Sequence, residues 1–233
     1  MSPVSLRQSS SDARLRDDLP RLSAAGLRAL IRERVGGPRP PGDPIEDWRI
    51  GSVPPELRAQ LRQYFPPQPR AAAVLVPIVD RPDALSVLLT ERSSDLRTHA
   101  GQISFPGGAI ESQESVVDAA LREAHEEIGL APHLIEVVGT LPDHLIVSGF
   151  RVTPVVAFVR PEFELRIDRD EVADAFEVPL PFFLDPANHV RRVRRFENHE
   201  VELTDLPWGE RNIWGATAGM LLTFYRVLRG EDA

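Results

Sequence analysis

Gly107-Gly108-Ala109-Ile110-Glu111-Ser112-Gln113-Glu114-Ser115-Val116-Val117-Asp118-Ala119-Ala120-Leu121-Arg122-Glu123-Ala124-His125-Glu126-Glu127-Ile128-Gly129-Leu130 decides how this chain is read. Ser115 followed by Asp118 is a capping-box-like helix start. Gly129 stands where a left-handed residue ends a helix, with Leu130 just beyond. The spacing predicts a helix over Val116–Ile128. At a helical turn of 100° per residue, Val117, Leu121, Ala124 and Ile128 fall within about 60° of one another and form the core stripe. Glu123, Glu126 and Glu127, spaced i, i+3, i+4, gather on another face. Three like charges there repel. The patch is therefore either a solvated acidic face or a cation site. All-oxygen ligands favour Mg²⁺ or Mn²⁺ over zinc, and magnesium commonly completes its shell with water and substrate phosphate. Gly107 and Gly108 let backbone pass close to a ligand. Arg122, one turn from Glu126, is placed to hold carboxylates in position. The cation reading leads to metal-assisted chemistry on a phosphate anhydride.

Outward from this stretch, the chain alternates strand-like and helical segments. Upstream, Ala71–Val79 reads as a buried strand. Asp80-Arg81-Pro82-Asp83 reads as a turn, and Leu85–Thr90 as a second strand. Further strands are expected at Ile103–Phe105, Glu136–Leu141, Thr153–Val159, His189–Phe196 and Glu200–Leu203. Trp214–Leu228 reads as a deeply packed helix, with Trp214 itself in the core. The fold class is α/β or α+β, a mixed sheet between helical layers. Residues 1–69 read as an N-terminal appendage: a Ser-rich charged start, a short amphipathic helix from Leu22 to Val35 ended by Gly36-Gly37, a stiff linker with Pro38, Pro40, Pro41 and Pro44, and a second short helix around Glu56–Tyr64. Residues 70–233 form the main domain.

Composition narrows the function. The 233 residues carry a net charge of −8, which argues against nucleic acid as the partner. Cysteine is absent, which excludes a disulfide framework, a thiolate nucleophile and Cys-bound zinc. All 27 basic residues are Arg, which excludes a Schiff-base lysine and the P-loop Gly-Lys-Ser/Thr motif. No apolar run approaches the roughly 18–20 residues of a membrane span. The polar first twenty residues are not a secretory signal, so the expected location is the cytoplasm. The histidines show no metal-ligand spacing, and His125 is expected to face solvent. Arg191-Arg192-Val193-Arg194-Arg195 is expected to be a solvated basic strand.

The quoted stretch resembles the Nudix box, Gly-x5-Glu-x7-Arg-Glu-U-x-Glu-Glu-x-Gly-U with U a bulky aliphatic residue. Gly108, Glu114, Arg122, Glu123, Glu126, Glu127, Gly129 and Leu130 match, and Ala124 is small for the first U. Seven identical positions at ordinary residue usage have a chance of about 10⁻⁸ per start. The resemblance implies the Nudix fold, a mixed β-sheet sandwiched between α-helices. It also implies hydrolysis of a nucleoside diphosphate linked to another group, with Mg²⁺ or Mn²⁺ on Glu123, Glu126 and Glu127.

Leu88-Leu89-Thr90-Glu91-Arg92-Ser93 and the residues that follow as far as Gly108 are similar to the signature of coenzyme A pyrophosphatases, Leu-Leu-Thr-x-Arg-Ser-x3-Arg-x3-Gly-x3-Phe-Pro-Gly-Gly. Asp170-Glu171-Val172-Ala173 with Val178-Pro179-Leu180, and Ile213-Trp214-Gly215-Ala216-Thr217-Ala218, look similar to that subgroup too. This second resemblance implies cleavage of CoA or acyl-CoA to 4′-phosphopantetheine, or its acyl form, and adenosine 3′,5′-bisphosphate. Glu127 or Glu171 would take the proton of the attacking water. Arg92, Arg97, Gly107 and Gly108 would meet substrate phosphates, unless the arginines brace the loop against Glu91 or Asp95. An arginine reading a phosphate remote from the reacting diphosphate would act mainly on KM. ADP-ribose or a nucleoside triphosphate as substrate, and a non-catalytic ligand sensor, are the competing readings. Nudix relatives are often dimers, so a homodimer is compatible with the resemblance.

Overall fold

The structure, a computed structural model, describes residues 18–36, 50, 53, 58, 61–94, 100–146, 148–196 and 199–231. Arg97, His99, the Pro-rich linker and residues 56, 57, 59 and 60 of the second N-terminal helix expected from the sequence lie outside the described residues.

The main sheet is built around β1 (Arg70–Asp80), whose apolar side chains point alternately to two cores. A tight turn with Arg81 N–H bonded to Ala84 O returns the chain as β2 (Leu85–Arg92), antiparallel to β1. β3 (Ile103–Ser104) pairs β2, and β4 (Gly107–Ala109) pairs β1. Helix α2 (Val116–Ile128) follows; α1 (Ala24–Val35) precedes the sheet. β5 (Ile135–Thr140) and β6 (His144–Ile146) lead to β7 (Phe150–Val159), which lies parallel to β1 and antiparallel to β5 and β6. β8 (Val172–Pro179) adds to the free side of β2 and runs into the short helix α3 (Leu180–Leu184). A second, antiparallel sheet of β9 (Val190–Phe196), β10 (His199–Trp208) and β11 (Arg211–Ile213) precedes the last helix, α4 (Gly215–Leu228).

Each face of the main sheet has its own core. Ala73, Leu75, Leu88, Val155 and Ala157 pack with Ala119, Ala120, Ala124 and Ile128 of α2. Val76, Leu89, Val156 and Phe158 pack with α1, α3 and α4 on the other face. Helix α4 is buried along nearly its whole length, as its apolar sequence requires.

Two expectations change here. Residues 18–36 are not set apart from the body: Leu19, Leu27, Ile31 and Val35 are at most 3% exposed and belong to the same core as α4. Arg32 of α1 also lies over the Phe158 ring and bonds Glu136. Trp214 is not a core residue. It sits at the start of α4, 36% exposed, under the Arg194 guanidinium. Among the described residues no helix is long and apolar enough to cross a membrane.

Candidate active site

The helix ends form as the sequence dictates. Ser115 Oγ accepts the Asp118 N–H at 3.1 Å, and Gly129 closes the helix at φ 71°. Leu130 N–H reaches back to Ala124 O, completing the C-terminal motif. These caps fix the rotation of α2 against the sheet and so decide where its glutamates stand.

The three glutamates differ in depth. Glu126 is exposed and Glu123 is mostly covered, whereas Glu127 is 3% exposed, below the strand that carries Gly107. Glu127 lies three residues after Ala124 and seven after Ala120, both fully buried, so it belongs to the edge of the core stripe. Burial pushes its pKa up to about 8; the charges of Glu123 and Glu171 push the same way, while Arg92 and the Gly107 N–H, 3.3 Å from Oε2, pull it down. Burial raises Glu123 as well, against the opposing pull of Arg122.

Arg122 is the hub of the patch. Its guanidinium bonds Glu114 at 2.9 and 3.1 Å, Glu123 at 2.8 Å, Glu126 at 2.9 Å and the Ala109 carbonyl at 3.1 Å. This network holds Glu114 below the usual carboxylate range and keeps Arg122 charged. Glu114 also accepts the Glu111 N–H, which ties the loop before α2 to the helix. A Cβ at Gly108 would lie 2.5 Å from Glu123 Oε1, so a larger residue there would displace the Glu123 carboxylate.

The upstream arginine and the loop glutamate converge on the same place. In β2, Leu88 faces the α2 core, so Arg92 four residues on shares that face. Its positive charge reaches Glu127, and its buried Nε has no hydrogen-bond partner among the described residues. Arg92 does not brace Glu91, which instead bonds Arg211. The segment after β7 runs along the C-terminal end of α2, with Arg166 N–H on Ile128 O and Asp168 N–H on Glu127 O. It then turns so that the exposed Glu171 bears on both Glu123 and Glu127.

A donor set made only of carboxylate oxygens fits a hard divalent ion. As they stand, no group of three or more His, Asp or Glu among the described residues is arranged to hold one. Arg122 occupies one oxygen each of Glu123 and Glu126. His125 is exposed on the outer side of α2, as expected.

The description of the NUDIX domain family matches residues 69–213. The uncharacterized Nudix hydrolase NudL of Shigella flexneri serotype 5b (strain 8401) is 44% identical over 173 residues, covering 71% of this chain and 85% of that protein. NudL of Escherichia coli O157:H7 (strain EC4115 / EHEC) is 46% identical over 160 residues, covering 65% and 79%. Among solved structures, a MutT/nudix family protein from Enterococcus faecalis aligns over 74% of this chain and 68% of its own, with 20% identity and a TM-score of 0.45. The Nudix hydrolase RenU of M. smegmatis aligns over 48% and 71%, with 28% identity and a TM-score of 0.42.

Proposed function

The chain belongs to the Nudix family and has its fold, a hydrolase fold for nucleoside diphosphate derivatives, and from that premise we propose that it cleaves the diphosphate of CoA or an acyl-CoA. The observation that carries this reading is the unbroken signature from Leu88 to Gly108, which spans β2, β3 and the start of β4 and leads directly into the box. The products are 4′-phosphopantetheine, or its acyl form, and adenosine 3′,5′-bisphosphate.

Hydrolysis adds water across the P–O–P bridge: hydroxide joins one phosphorus and the departing phosphate oxygen takes the proton. Nudix hydrolases generally use Mg²⁺ or Mn²⁺, and here Glu123, Glu126 and Glu127 would hold it. Such an ion neutralises diphosphate charge and lowers the pKa of a water. Arg122 orients Glu123 and Glu126, whose remaining oxygens would be available to such an ion. Gly107 and Gly108 keep the backbone low so that phosphate oxygens approach the carboxylates. Arg92 faces the reacting diphosphate, and Arg97 is assigned to a phosphate by the signature. The water's proton goes to Glu127 or to Glu171, whose charge bears on Glu127.

Mass spectrometry of products formed with Mg²⁺ or Mn²⁺ from CoA, acetyl-CoA, ADP-ribose and ATP tests the reading. Adenosine 3′,5′-bisphosphate from CoA is expected. Hydrolysis of ADP-ribose or ATP without cleavage of CoA would leave only the family assignment. No hydrolysis of any compound would favour a ligand sensor.

A further inference from the structure

Arg211, on β11 of the second sheet, belongs to none of the motifs. Its Nε lies 3.4 Å from Glu91 Oε2, its Nη2 bonds Asp174 Oδ2, and its plane stacks 4.0 Å from the centre of the Phe176 ring. Glu91 of β2 and Asp174 of β8 are direct partners across the strand pair. Two carboxylates placed opposite each other repel, so this pair needs a cation between them.

The position of the clamp matters more than its strength. The register of β2 against β8 slips at the next residue: Arg92 faces Val172, which leaves Ala173 as the extra residue of a bulge. Ser93 N–H bonds Glu171 O at 2.9 Å on the far side of the slip, and Arg169 bonds the Ala173 carbonyl. Bulges re-aim side chains. Here Arg92 and Glu171 leave the bulge toward the glutamates of α2. Leu89, two residues before Glu91, faces the opposite core, so Arg211 grips the back of the strand pair whose front carries Arg92.

We propose that Arg211 is a positioning residue: by holding Glu91 and Asp174 together behind the sheet, it fixes the bulge that aims Arg92 and Glu171 at Glu127. The inference rests on the assignment of Arg92 and Glu171 to the active site, and is independent of CoA as the substrate. Arg211, Glu91 and Asp174 are all partly exposed, and ion pairs of that kind add little to overall stability. Loss of the clamp therefore shows in local geometry and turnover, while the melting temperature stays close to that of the wild type.

Arg211→Gln in the full chain is the test, read first by amide hydrogen exchange. The Ser93 amide is expected to exchange about tenfold faster while amides of α4 keep their protection. Adding Glu91→Gln and Asp174→Asn removes the repulsion and is expected to restore much of the lost protection. With the compound hydrolysed fastest by the wild type, kcat is expected to fall about tenfold and KM to change less than about twofold. In an Arg92→Ala/Glu171→Gln background the further loss should be under about twofold, because Arg211 acts only through those two side chains. Unchanged Ser93 exchange overturns the proposal, as do losses that multiply with those of the Arg92→Ala/Glu171→Gln pair or an equal loosening of the whole chain. If the wild type hydrolyses nothing, the proposed function fails, and the exchange measurement still decides the role of Arg211.

Discussion

Burial separates Glu127 from the other two glutamates and gives the site its pH behaviour. With no cation bound, the folded protein holds a proton on Glu127 up to about pH 8, whereas the unfolded chain loses it near the ordinary value of 4.5. Between those values the native state binds more protons, so stability falls as pH rises from about 4.5 through about 8. Urea unfolding of metal-free protein should show a loss of a few kcal/mol, on the order of magnitude set by such a shift, and Glu127→Gln should flatten that slope. The same substitution should lower kcat by about 10²–10⁴-fold with the circular dichroism spectrum unchanged. Arg92 also changes meaning at this scale. The signature alone favours an effect on KM, but the charge of Arg92 bears on Glu127, which under the proposed function places it at the reacting diphosphate. Steady-state kinetics of Arg92→Ala should therefore show mainly a fall in kcat, by roughly 10²-fold. The spacing of Glu123, Glu126 and Glu127 was legible. The depth of Glu127 was legible only by continuing the apolar stripe through Ala120 and Ala124. Arg211 left no trace in the sequence, because its partners Glu91 and Asp174 lie more than thirty residues away and meet it through sheet pairing.

At the scale of elements, local signals decided what could be read. Helix α2 begins and ends where Ser115 and Gly129 place it. β1, β2, β5 and β7 announce themselves as apolar β-branched runs. β4 does not, because Gly107-Gly108-Ala109 has no strand propensity and is held in place by pairing with Ala72–Val74. β8 shows in the sequence only as motif segments: its bulge at Ala173 interrupts the alternation, and Asp174 and Glu177 are neutralised by Arg211 and Arg81 from elsewhere. The C-terminal cap of α2 is a sensitive joint, since a Cβ at Gly129 would meet the Arg166 backbone at 2.9 Å as well as adopting a left-handed conformation. Gly129→Ala is expected to cost about 1–2 kcal/mol or more in urea unfolding, and activity should fall with it because α2 turns against the sheet.

Across the whole molecule, the Pro-rich segment suggests a separable N-terminal region, yet the helix before it completes the core. Sequence periodicity shows that α1 has an apolar face but not which surface receives it; the largely buried α4 packed against it makes that visible. Leu19, Leu27, Ile31 and Val35 would be missing from a chain starting at residue 65, and the core side chains they pack against would be uncovered. At roughly 1.5–3 kcal/mol per fully buried side chain, their combined loss approaches the stability of a whole domain. Such a truncation is expected to be insoluble or unfolded, and soluble yield with a cooperative melt would refute this. The second sheet is likewise joined to the first through Arg211, and α4 is joined to it through Thr217, which bonds Ile103 O at 2.9 Å. The most direct test of the functional assignment is the ratio of kcat/KM for CoA to that for ADP-ribose, measured on wild-type protein with Mg²⁺ and with Mn²⁺. A ratio well above one, with adenosine 3′,5′-bisphosphate as product, is the expected result. A higher kcat/KM for ADP-ribose would contradict it.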